Sequence, residues 1–218
     1  KIVSCLYSQF KVDILLMKLA IITSGGANFL SIEMSLQRIG VDYVFTNQAS
    51  DIEDCDAIIL PGVGAAKFAM ERLAKDGLIE LIQNYKKPLL GICLGMQLLY
   101  ESSQEGNVEC LGLINGTINK FDESKIIVPH MGWNNLLVKH NSPLLSNIDT
   151  TRDVYFVHSY YAPVNEYTIA ACDYGHEFSA ICQNNNFYGM QFHPEKSGDI
   201  GEQLLSNFIK LIKNRKSR

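Results

Sequence analysis

The sequence predicts an α/β fold with a mainly parallel central sheet that is flanked by helices on both faces and extended by antiparallel strands. Two observations lead to this prediction. In the first half of the chain, short uninterrupted apolar runs alternate with segments of helical spacing, which is typical of strands buried on both faces of a parallel sheet. After residue 105, short β-rich runs follow one another directly, with Asn, Gly and Pro turns between them, as in antiparallel sheets.

The first half is predicted to begin with a strand at 18–23 that ends in the turn Ser24-Gly25-Gly26. The segment that follows repeats apolar residues at the spacing of one helix face, and Gly40 marks its end. The remaining elements of this half are predicted as strands at 41–46, 56–61 and 87–93 and a helix at 66–86.

The second half is predicted to contain six strands and a final helix. Each strand is rich in apolar, β-branched or aromatic residues and ends at a turn. The strands are predicted at 111–121, 133–139, 154–163, 167–175, 178–185 and 187–194, and the helix at 201–214.

The chain is predicted to form one domain over residues 17–218. Its 218 residues are 47% hydrophobic, which suits a sizeable core, and no linker-like or repeated segment divides them. Residues 1–16 are interpreted as an upstream extension, natural or introduced by cloning, because Met17 opens a stretch that reads like a protein start. Lys11 and Asp13 interrupt any signal-peptide core, and no run reaches the ~18 apolar residues of a membrane span.

The composition argues against several classes of function. A net charge of −4 provides no broad basic face for nucleic acid. The six cysteines include no C-x-x-C pair and are spaced too widely for a zinc cluster, and a chain of this size does not depend on disulfides. This cysteine usage predicts a cytoplasmic location. No metal or cofactor is predicted, because the sequence has neither a P-loop nor G-x-G-x-x-G after its first strand.

The stretch GICLG places Cys93 between two glycines, directly after an apolar strand and before a helix-like segment. The pattern G-x-C-x-G is the cysteine form of a nucleophile elbow, a sharp turn that needs small residues on both sides and projects the side chain above the sheet. The positive end of the following helix would favour the thiolate. Taken alone, the pattern also fits a small buried cysteine at a tight turn.

A cysteine nucleophile needs a base, and the base needs a group that orients it. Among the five histidines, His193 stands out because Glu195 follows two residues later, with Pro194 between them. Pro194 is expected to hold the segment extended, so that both side chains share a face and Glu195 bonds one ring nitrogen while the other faces the thiol. The alternative is a structural histidine beside a surface carboxylate.

A glycine-rich stretch, LPGVGAA at 60–66, is the third part of the candidate site. Its glycines let a ligand approach the backbone, so the amides near Val63 and Gly64, together with that of Leu94, are predicted to form an oxyanion hole. When this stretch is considered alone, an ordinary strand-to-helix turn explains it better.

In order along the chain, the motifs PGVG, GICLGMQ, FVHSY and GMQFHPEKSG resemble those of the class I (triad) glutamine amidotransferases. The resemblance extends from Met17 to Asn214 and implies a flavodoxin-like core and a glutaminase that releases ammonia from glutamine. It also implies that the catalytic triad is Cys93, His193 and Glu195. The residues that match substrate-binding positions of the family are Gly62, Gln97, His158, Ser159 and Tyr160.

The stretches PHMGWN, YFVHSYYAPVN and HPEKSG are similar to one branch of this family, the glutaminase subunits of imidazole glycerol phosphate synthases in histidine biosynthesis. This similarity implies a heterodimer with a (β/α)8-barrel cyclase subunit. The cyclase would use the ammonia to convert a ribulosyl aminoimidazole nucleotide into imidazole glycerol phosphate and an aminoimidazole carboxamide ribotide. It also implies a glutaminase that is nearly silent until the cyclase binds nucleotide. Asn28, Trp133 and Lys196 match positions at or near that interface, whereas Thr23 stands where the family usually has an acidic residue.

Three other functions remain open at this point. The triad motifs are shared by glutaminases that serve purine, pyrimidine or anthranilate synthesis, although PHMGWN and HPEKSG favour the histidine branch. Close paralogues that serve surface-sugar amination have similar motifs, and their specificity lies in the partner. A catalytically inactive regulatory subunit would be expected to lack a triad member, and all three are present.

Overall fold

The computed structural model describes residues 17–23 and 28–216. The predicted extension 1–16, with Cys5, and the turn predicted at 24–26 lie outside the described residues. The strands are β1 (Lys18–Ile22), β2 (Asp42–Thr46), β3 (Ala57–Gly62), β4 (Leu89–Cys93), β5 (Tyr100–Ser103), β6 (Val108–Glu109), β7 (Ile114–Lys120), β8 (His130–Asn134), β9 (Leu137–Val138), β10 (Val154–His158), β11 (Tyr160–Tyr161), β12 (Thr168–Asp173), β13 (Glu177–Asn184) and β14 (Phe187–Met190). The helices are α1 (Phe29–Ile39), α2 (Ala49–Asp54), α3 (Ala66–Lys75), α4 (Leu78–Gln83), α5 (Leu94–Gln97) and α6 (Gly198–Lys216), with 3-10 turns at Pro143–Leu145 and Pro194–Lys196.

Eight strands form the main sheet in the order β2-β1-β3-β4-β14-β13-β12-β9. The five strands from β2 to β14 pair in parallel, and the remaining three continue the sheet in antiparallel pairing. Two smaller sheets consist of β8 with β10 and of β11, β7, β5 and β6. The predicted fold class is confirmed.

The parallel strands are buried on both faces, as their uninterrupted apolar sequences predict. In β1, Leu19 and Ile21 belong to one apolar core, while Ala20 and Ile22 belong to the other. Helices α1 and α6 pack into the first core, and α2, α3 and α4 pack into the second. This division follows from the two-residue period of a strand, which sends alternate side chains to opposite faces.

The single helix predicted at 66–86 is wrong in its continuity. The structure has α3 and α4 there, separated by Gly77, which adopts φ 70° in the left-handed region. A residue in that conformation ends a helix, and glycine adopts it without the steric cost that a side chain would add. Apolar spacing on both sides of such a glycine cannot distinguish one helix from two.

Two of the predicted strands, at 133–139 and 154–163, are each divided in the structure. The first becomes β8, which pairs with β10, and β9, which pairs with β12 of the main sheet. The second becomes β10 and β11, which pair with β8 and β7 respectively. Each run therefore passes from one sheet to another, and the break falls where its pairing partner changes.

The topology determines where a site can form. Strands β3 and β4 are parallel neighbours, and their last residues, Gly62 and Cys93, lie opposite each other in the register. Strand β14 pairs with the other side of β4, and His193 follows the end of β14 by three residues, at the same end of the sheet. Ligands of open α/β sheets bind at this carboxyl edge of the strands.

Candidate active site

A cavity of ≈ 380 Å³ opens at the carboxyl edge of β3 and β4. A larger surface hollow of ≈ 510 Å³ lies beside α2 and α4, but its described lining contains neither cysteine nor histidine. The smaller cavity brings together residues from both halves of the chain. It is lined by Val63, Gly64, Cys93, Leu94, Gln97, Glu105, Pro129, Val157, His158, Ser159, Tyr160 and His193.

Cys93 lies at a sharp strand-to-helix turn, with φ 54° and ψ −112° between the end of β4 and the start of α5. A positive φ is costly for a residue with a side chain, and such strain is concentrated at functional positions. The turn also requires the glycine on its far side, because a Cβ at Gly95 would collide with the carbonyl oxygen of Leu60 in β3. The helix that follows is a single turn of four residues, so only its first N–H groups, and no long helix dipole, act on the sulfur.

His193 and Glu195 form a buried pair in which His193 Nδ1 lies 2.8 Å from Glu195 Oε1. Their side chains are 6% and 2% exposed. The predicted pairing is therefore present, but the predicted extended segment is wrong. Pro194 begins a 3-10 turn, Pro194–Lys196, because the ring fixes φ near the helical value and the missing N–H is not needed at the first position.

The other ring nitrogen of His193, Nε2, is available for proton transfer. His193 Nε2 is buried and has no hydrogen-bond partner in the part of the chain that the structure describes. Burial on its own lowers the pKa of His193, but the neighbouring Cys93 and the bond to Glu195 outweigh burial and raise this pKa to about 10. Cys93 Sγ thus lies near enough to influence the ring without meeting it in hydrogen-bond geometry. The surroundings favour an imidazolium beside the sulfur.

The three predicted oxyanion-hole residues all line the cavity. Val63 and Gly64 follow the end of β3, and Leu94 is the first residue of α5. Gly64 has φ 96°, a conformation that favours glycine, and no atom lies within 4 Å of the position that a Cβ would take there. Gly62 ends β3, where a Cβ would lie only 2.9 Å from the Gly95 nitrogen, so it keeps the two loops close.

The predicted substrate-binding residues Gln97, His158, Ser159 and Tyr160 also line the cavity. Gln97 is only 4% exposed, and its Nε2 donates to the carbonyl oxygen of Tyr160 at 2.9 Å. Burial lowers the pKa of His158 to about 3 despite a bond from its Nδ1 to the same carbonyl oxygen at 2.7 Å, and the nearby His130 and His193 lower it further. His158 is therefore neutral, and its role is to support the cavity wall.

Glu105 is not among the predicted site residues, yet it is the one acidic residue among the described residues that line the cavity. Its Oε2 accepts a hydrogen bond from the backbone N–H of Ala66 at 2.8 Å, at the start of α3. Burial raises the pKa of Glu105, and the bond from Ala66 opposes this rise. No local pattern marks this glutamate, because only the tertiary packing of its turn against α3 brings it to the cavity.

Two of the three predicted interface residues meet on one exposed patch. Trp133, 57% exposed, packs edge-on against Tyr155 with ring centroids 5.7 Å apart. The exposed Lys196 places its Nζ 5.9 Å from the centre of the same Tyr155 ring. Asn28 is exposed at the start of α1, where its side chain caps the helix by accepting from the N–H of Ser31. Thr23, the departure from the family pattern, bonds through its N–H and hydroxyl to Asn47 Oδ1.

Within residues 17–23 and 28–216, no cluster of histidine, cysteine and acidic side chains has the arrangement of a metal site. All five described cysteines are free. No helix in these ranges is long and apolar enough to cross a bilayer.

The family model of glutamine amidotransferase class-I matches residues 21–211. This chain belongs to the class I glutamine amidotransferase family. Two curated relatives are similar over almost their entire length, and both are named imidazole glycerol phosphate synthase subunit HisH. One, from Xanthomonas axonopodis pv. citri, is 47% identical over 88% of this chain and 96% of its own; the other, from Pasteurella multocida, is 46% identical over 89% and 98%. The chain therefore groups with the HisH branch of the family, as its motifs predict.

A solved structure described as PurLQS from Thermotoga maritima has the same fold. It superposes with a TM-score of 0.67 and covers 90% of this chain and 99% of its own, at 17% sequence identity. At that identity the likeness extends to the fold alone.

Proposed function

We propose that this protein hydrolyses glutamine to glutamate and ammonia with Cys93 as nucleophile, His193 as acid and base, and Glu195 as the group that orients the histidine. The observation that carries this proposal is the shared cavity, into which β4 brings Cys93 at a strained turn and the segment after β14 brings the buried His193–Glu195 pair. A nucleophile and a base that line one cavity, with an orienting carboxylate bonded to the base from behind, are the parts that amide hydrolysis through a covalent intermediate needs.

In the first step, the Cys93 thiolate attacks the carboxamide carbon of glutamine. The proton from the thiol resides on His193, whose raised pKa keeps the imidazolium beside the sulfur. His193 then gives this proton to the leaving nitrogen, the C–N bond breaks, and ammonia departs from a γ-glutamyl thioester. Water adds to the thioester carbon while His193 takes its proton, the C–S bond breaks, and glutamate is released. The sulfur and the proton on His193 then return to their starting state.

The negative charge that develops on the carboxamide oxygen requires nearby donors. We assign this role to the backbone amides of Leu94 and of the Val63–Gly64 stretch, since all three residues line the cavity next to Cys93. The substrate is held by Gln97 and by the backbone at His158, Ser159 and Tyr160, with Gly62 keeping the two loops close. The Glu105 carboxylate is suited to bind the α-ammonium group of glutamine, because it is the acidic group of the described cavity lining.

In this proposal the ammonia passes to a cyclase subunit with a (β/α)8 barrel. The cyclase uses it to make imidazole glycerol phosphate and an aminoimidazole carboxamide ribotide. The names of the Xanthomonas and Pasteurella relatives support this branch of metabolism. The exposed patch of Trp133, Tyr155 and Lys196 supports a docking face, because aromatic residues are enriched at interfaces and Trp133 is 57% exposed. Direct transfer within a heterodimer would protect ammonia from protonation and loss by diffusion.

The free subunit is expected to be a poor glutaminase. If the Val63–Gly64 peptide directs its carbonyl toward the substrate, one donor of the oxyanion hole is missing, which costs about 3–4 kcal/mol of barrier. Gly64 supports such a switch because it has φ 96° and an unobstructed Cβ position, so this peptide has room to rotate. Docking of the cyclase would favour the orientation that donates.

The test is glutamate release from glutamine by the purified chain, alone and with a histidine-pathway cyclase subunit and its nucleotide. We expect strong stimulation by the cyclase and no release by Cys93→Ala in any mixture. Release that depends on Cys93 but ignores the cyclase would keep the glutaminase and overturn the assigned partner. No release in any mixture would overturn the proposed function.

A further inference from the structure

Beneath the cavity, two buried glutamines connect a backbone carbonyl to the sulfur of Cys93. Gln97 Nε2 donates to the Tyr160 carbonyl oxygen and to Gln191 Oε1, each at 2.9 Å. Gln191 Nε2 in turn lies 3.8 Å from Cys93 Sγ, within hydrogen-bond range for sulfur. Gln191 is fully buried, and its backbone N–H bonds to the carbonyl of Ala180 in β13.

The direction of this series of hydrogen bonds is determined by the Tyr160 carbonyl at its far end. A carbonyl oxygen only accepts hydrogen bonds, so Gln97 must turn its NH2 group, and not its oxygen, toward Tyr160. The same NH2 group then faces Gln191, so Gln191 must accept with its side-chain oxygen. Gln191 therefore presents its own NH2 group to Cys93. If either amide were reversed, two oxygens or two NH2 groups would face each other in a buried site.

A second donor, from His158, also bonds the Tyr160 carbonyl oxygen and supports its role in fixing the direction of these hydrogen bonds. His158 Nδ1 lies 2.7 Å from the Tyr160 carbonyl oxygen and must be protonated there. Its Nε2 is then the acceptor for His130 Nδ1 at 3.1 Å. Both lone-pair directions of the Tyr160 carbonyl are thus occupied by N–H donors, which leaves Gln97 no alternative orientation with a satisfied bond.

We infer that Gln191 is a positioning residue for the nucleophile, and that it holds Cys93 Sγ with an N–H donor whose orientation is imposed by the Tyr160 carbonyl through Gln97. The inference rests on the proposed function, in which the Cys93 thiolate attacks glutamine. Gln191 lies two residues before His193, so one strand end supplies both the donor that holds the sulfur and the base that takes its proton.

This arrangement gives the sulfur a hydrogen-bond partner that it keeps after the thiol has lost its proton. In the structure, Cys93 Sγ donates to the carbonyl oxygen of Val157 at 3.9 Å, which is a bond that the thiol makes and the thiolate cannot. The bond from Gln191 strengthens when the sulfur becomes negative, since hydrogen bonds to charged acceptors are about twice as strong as neutral ones. The other titratable groups near the sulfur are His193 with Glu195 behind it, and His158, Tyr160 and Glu105 in the cavity lining.

The experiment measures how fast iodoacetamide alkylates Cys93 as a function of pH, followed by mass spectrometry of the peptide that contains Cys93. Gln191→Met removes the donor and keeps the length of the side chain. We expect the rate at pH 7 to fall about tenfold and the rise of the profile to move to higher pH, because a charge-assisted bond is lost. Gln97→Met leaves Gln191 in place but removes the partner that orients it, and we expect a smaller shift in the same direction.

Asn207→Leu is the matched control, because Asn207 is a buried amide in α6 that donates to the carbonyls of Leu144 and Ser146, away from the cavity. It should lower the melting temperature and leave the alkylation profile unchanged. Profiles of both glutamine variants that superpose on the wild type would overturn the inference. Since alkylation requires no turnover, a shift without glutamate release would refute only the proposed function, and glutamate release without a shift would refute only the role of Gln191.

Discussion

His193 and His158 line the cavity, and His130 bonds His158. These three buried histidines form two groups with opposite charge preferences, His193 on one side and the His130–His158 pair on the other. The pKa of His193 is raised to about 10, although burial alone lowers it. Burial lowers the pKa of His130 to about 4 and that of His158 to about 3. All three rings are almost completely buried, so the difference comes from their neighbours.

The neighbours differ in their ability to accommodate a positive charge. His193 bonds the Glu195 carboxylate and lies beside a thiol that can lose its proton. His130 stacks on Tyr174, with ring centroids 4.0 Å apart, and bonds a second neutral ring, that of His158. A buried imidazole gains its second proton only where an anion offsets the lost hydration, so the sign of the pKa shift separates the histidine that handles protons from those that support the cavity.

The largest expected effect comes from removing the nucleophile. Cys93→Ala should reduce glutamate release by at least about a thousandfold, as removal of a covalent catalyst does. It should also lower the pKa of His193, because the contact with Cys93 is one of the two that raise it. Steady-state glutamate assays and an NMR titration of the ring measure the two effects. Cys110→Ala, at another buried cysteine, is the control, and a Cys93→Ala variant with normal turnover would contradict the account.

The next effect comes from removing the charge on the orienting carboxylate. Glu195→Gln keeps the shape of the side chain, but it should lower the pKa of His193 and slow the cyclase-stimulated reaction by about a hundredfold or more. The exposed Glu109 provides the matched control, Glu109→Gln. If the pKa of His193 stayed near 10 in Glu195→Gln, the carboxylate would not be the cause of the difference between the two histidine groups.

A smaller effect concerns the free energy of unfolding at acidic pH. The pKa values of His130 and His158 in the fold lie below the ordinary 6.5, so the unfolded chain binds more protons as the pH falls from 6.5 to about 4. Stability should therefore fall with pH in this window, by up to about 1.4 kcal/mol per pH unit for each histidine. His193 is protonated in the fold throughout this window, and below about pH 5.5 it is protonated in the unfolded chain as well, so it adds nothing to the slope there.

Urea unfolding at a series of pH values checks this prediction. Between pH 6.5 and 4, the free energy of unfolding of His130→Phe should change less steeply with pH than that of the wild type, whatever its absolute value. The matched variant of an exposed histidine, His140→Phe, should keep the wild-type slope. A slope in His130→Phe as steep as that of the wild type would show that the buried pair is not kept neutral by the fold.

The smallest effect is expected at Lys196, which follows Glu195 but is exposed and rests over the Tyr155 ring. Lys196→Met should leave the pKa of His193 near 10 and change the free energy of unfolding by less than about 0.5 kcal/mol. It should nevertheless weaken stimulation by the cyclase, since Lys196 belongs to the proposed docking patch. A fall of the His193 pKa by a full unit in this variant would mean that the charge preference is not set locally.

Much of the fold is predictable from the sequence because the parallel strands carry their own signal. The strands ending at Gly62 and Cys93 are uninterrupted apolar runs, and burial on both faces is their only stable environment. The breaks were not predictable. Gly77 divides a helix whose apolar spacing continues on both sides, and the run around Trp133 changes sheets at a point that depends on distant pairing partners.

In the candidate site, too, local motifs are predictable from the sequence, whereas features that depend on distant contacts are not. Cys93, His193 and Glu195 occur in short motifs, and the order of the parallel strands brings Cys93 and His193 to one cavity, with Glu195 bonded to His193. Pro194 was expected to extend the chain and instead begins a turn, since its ring is compatible with both conformations. Glu105 and Gln191 were missed because their roles depend on contacts across the fold, with Ala66 in one case and with Gln97 and Cys93 in the other.

The most direct test of the central claim is an intact-mass measurement of the cyclase-bound protein, quenched with acid during turnover of glutamine. The account predicts that part of the chain gains the mass of one glutamyl group, that peptide mapping places it on Cys93, and that it is absent from Cys93→Ala. Steady glutamate production with no adduct on Cys93, and undiminished production by Cys93→Ala, would contradict it.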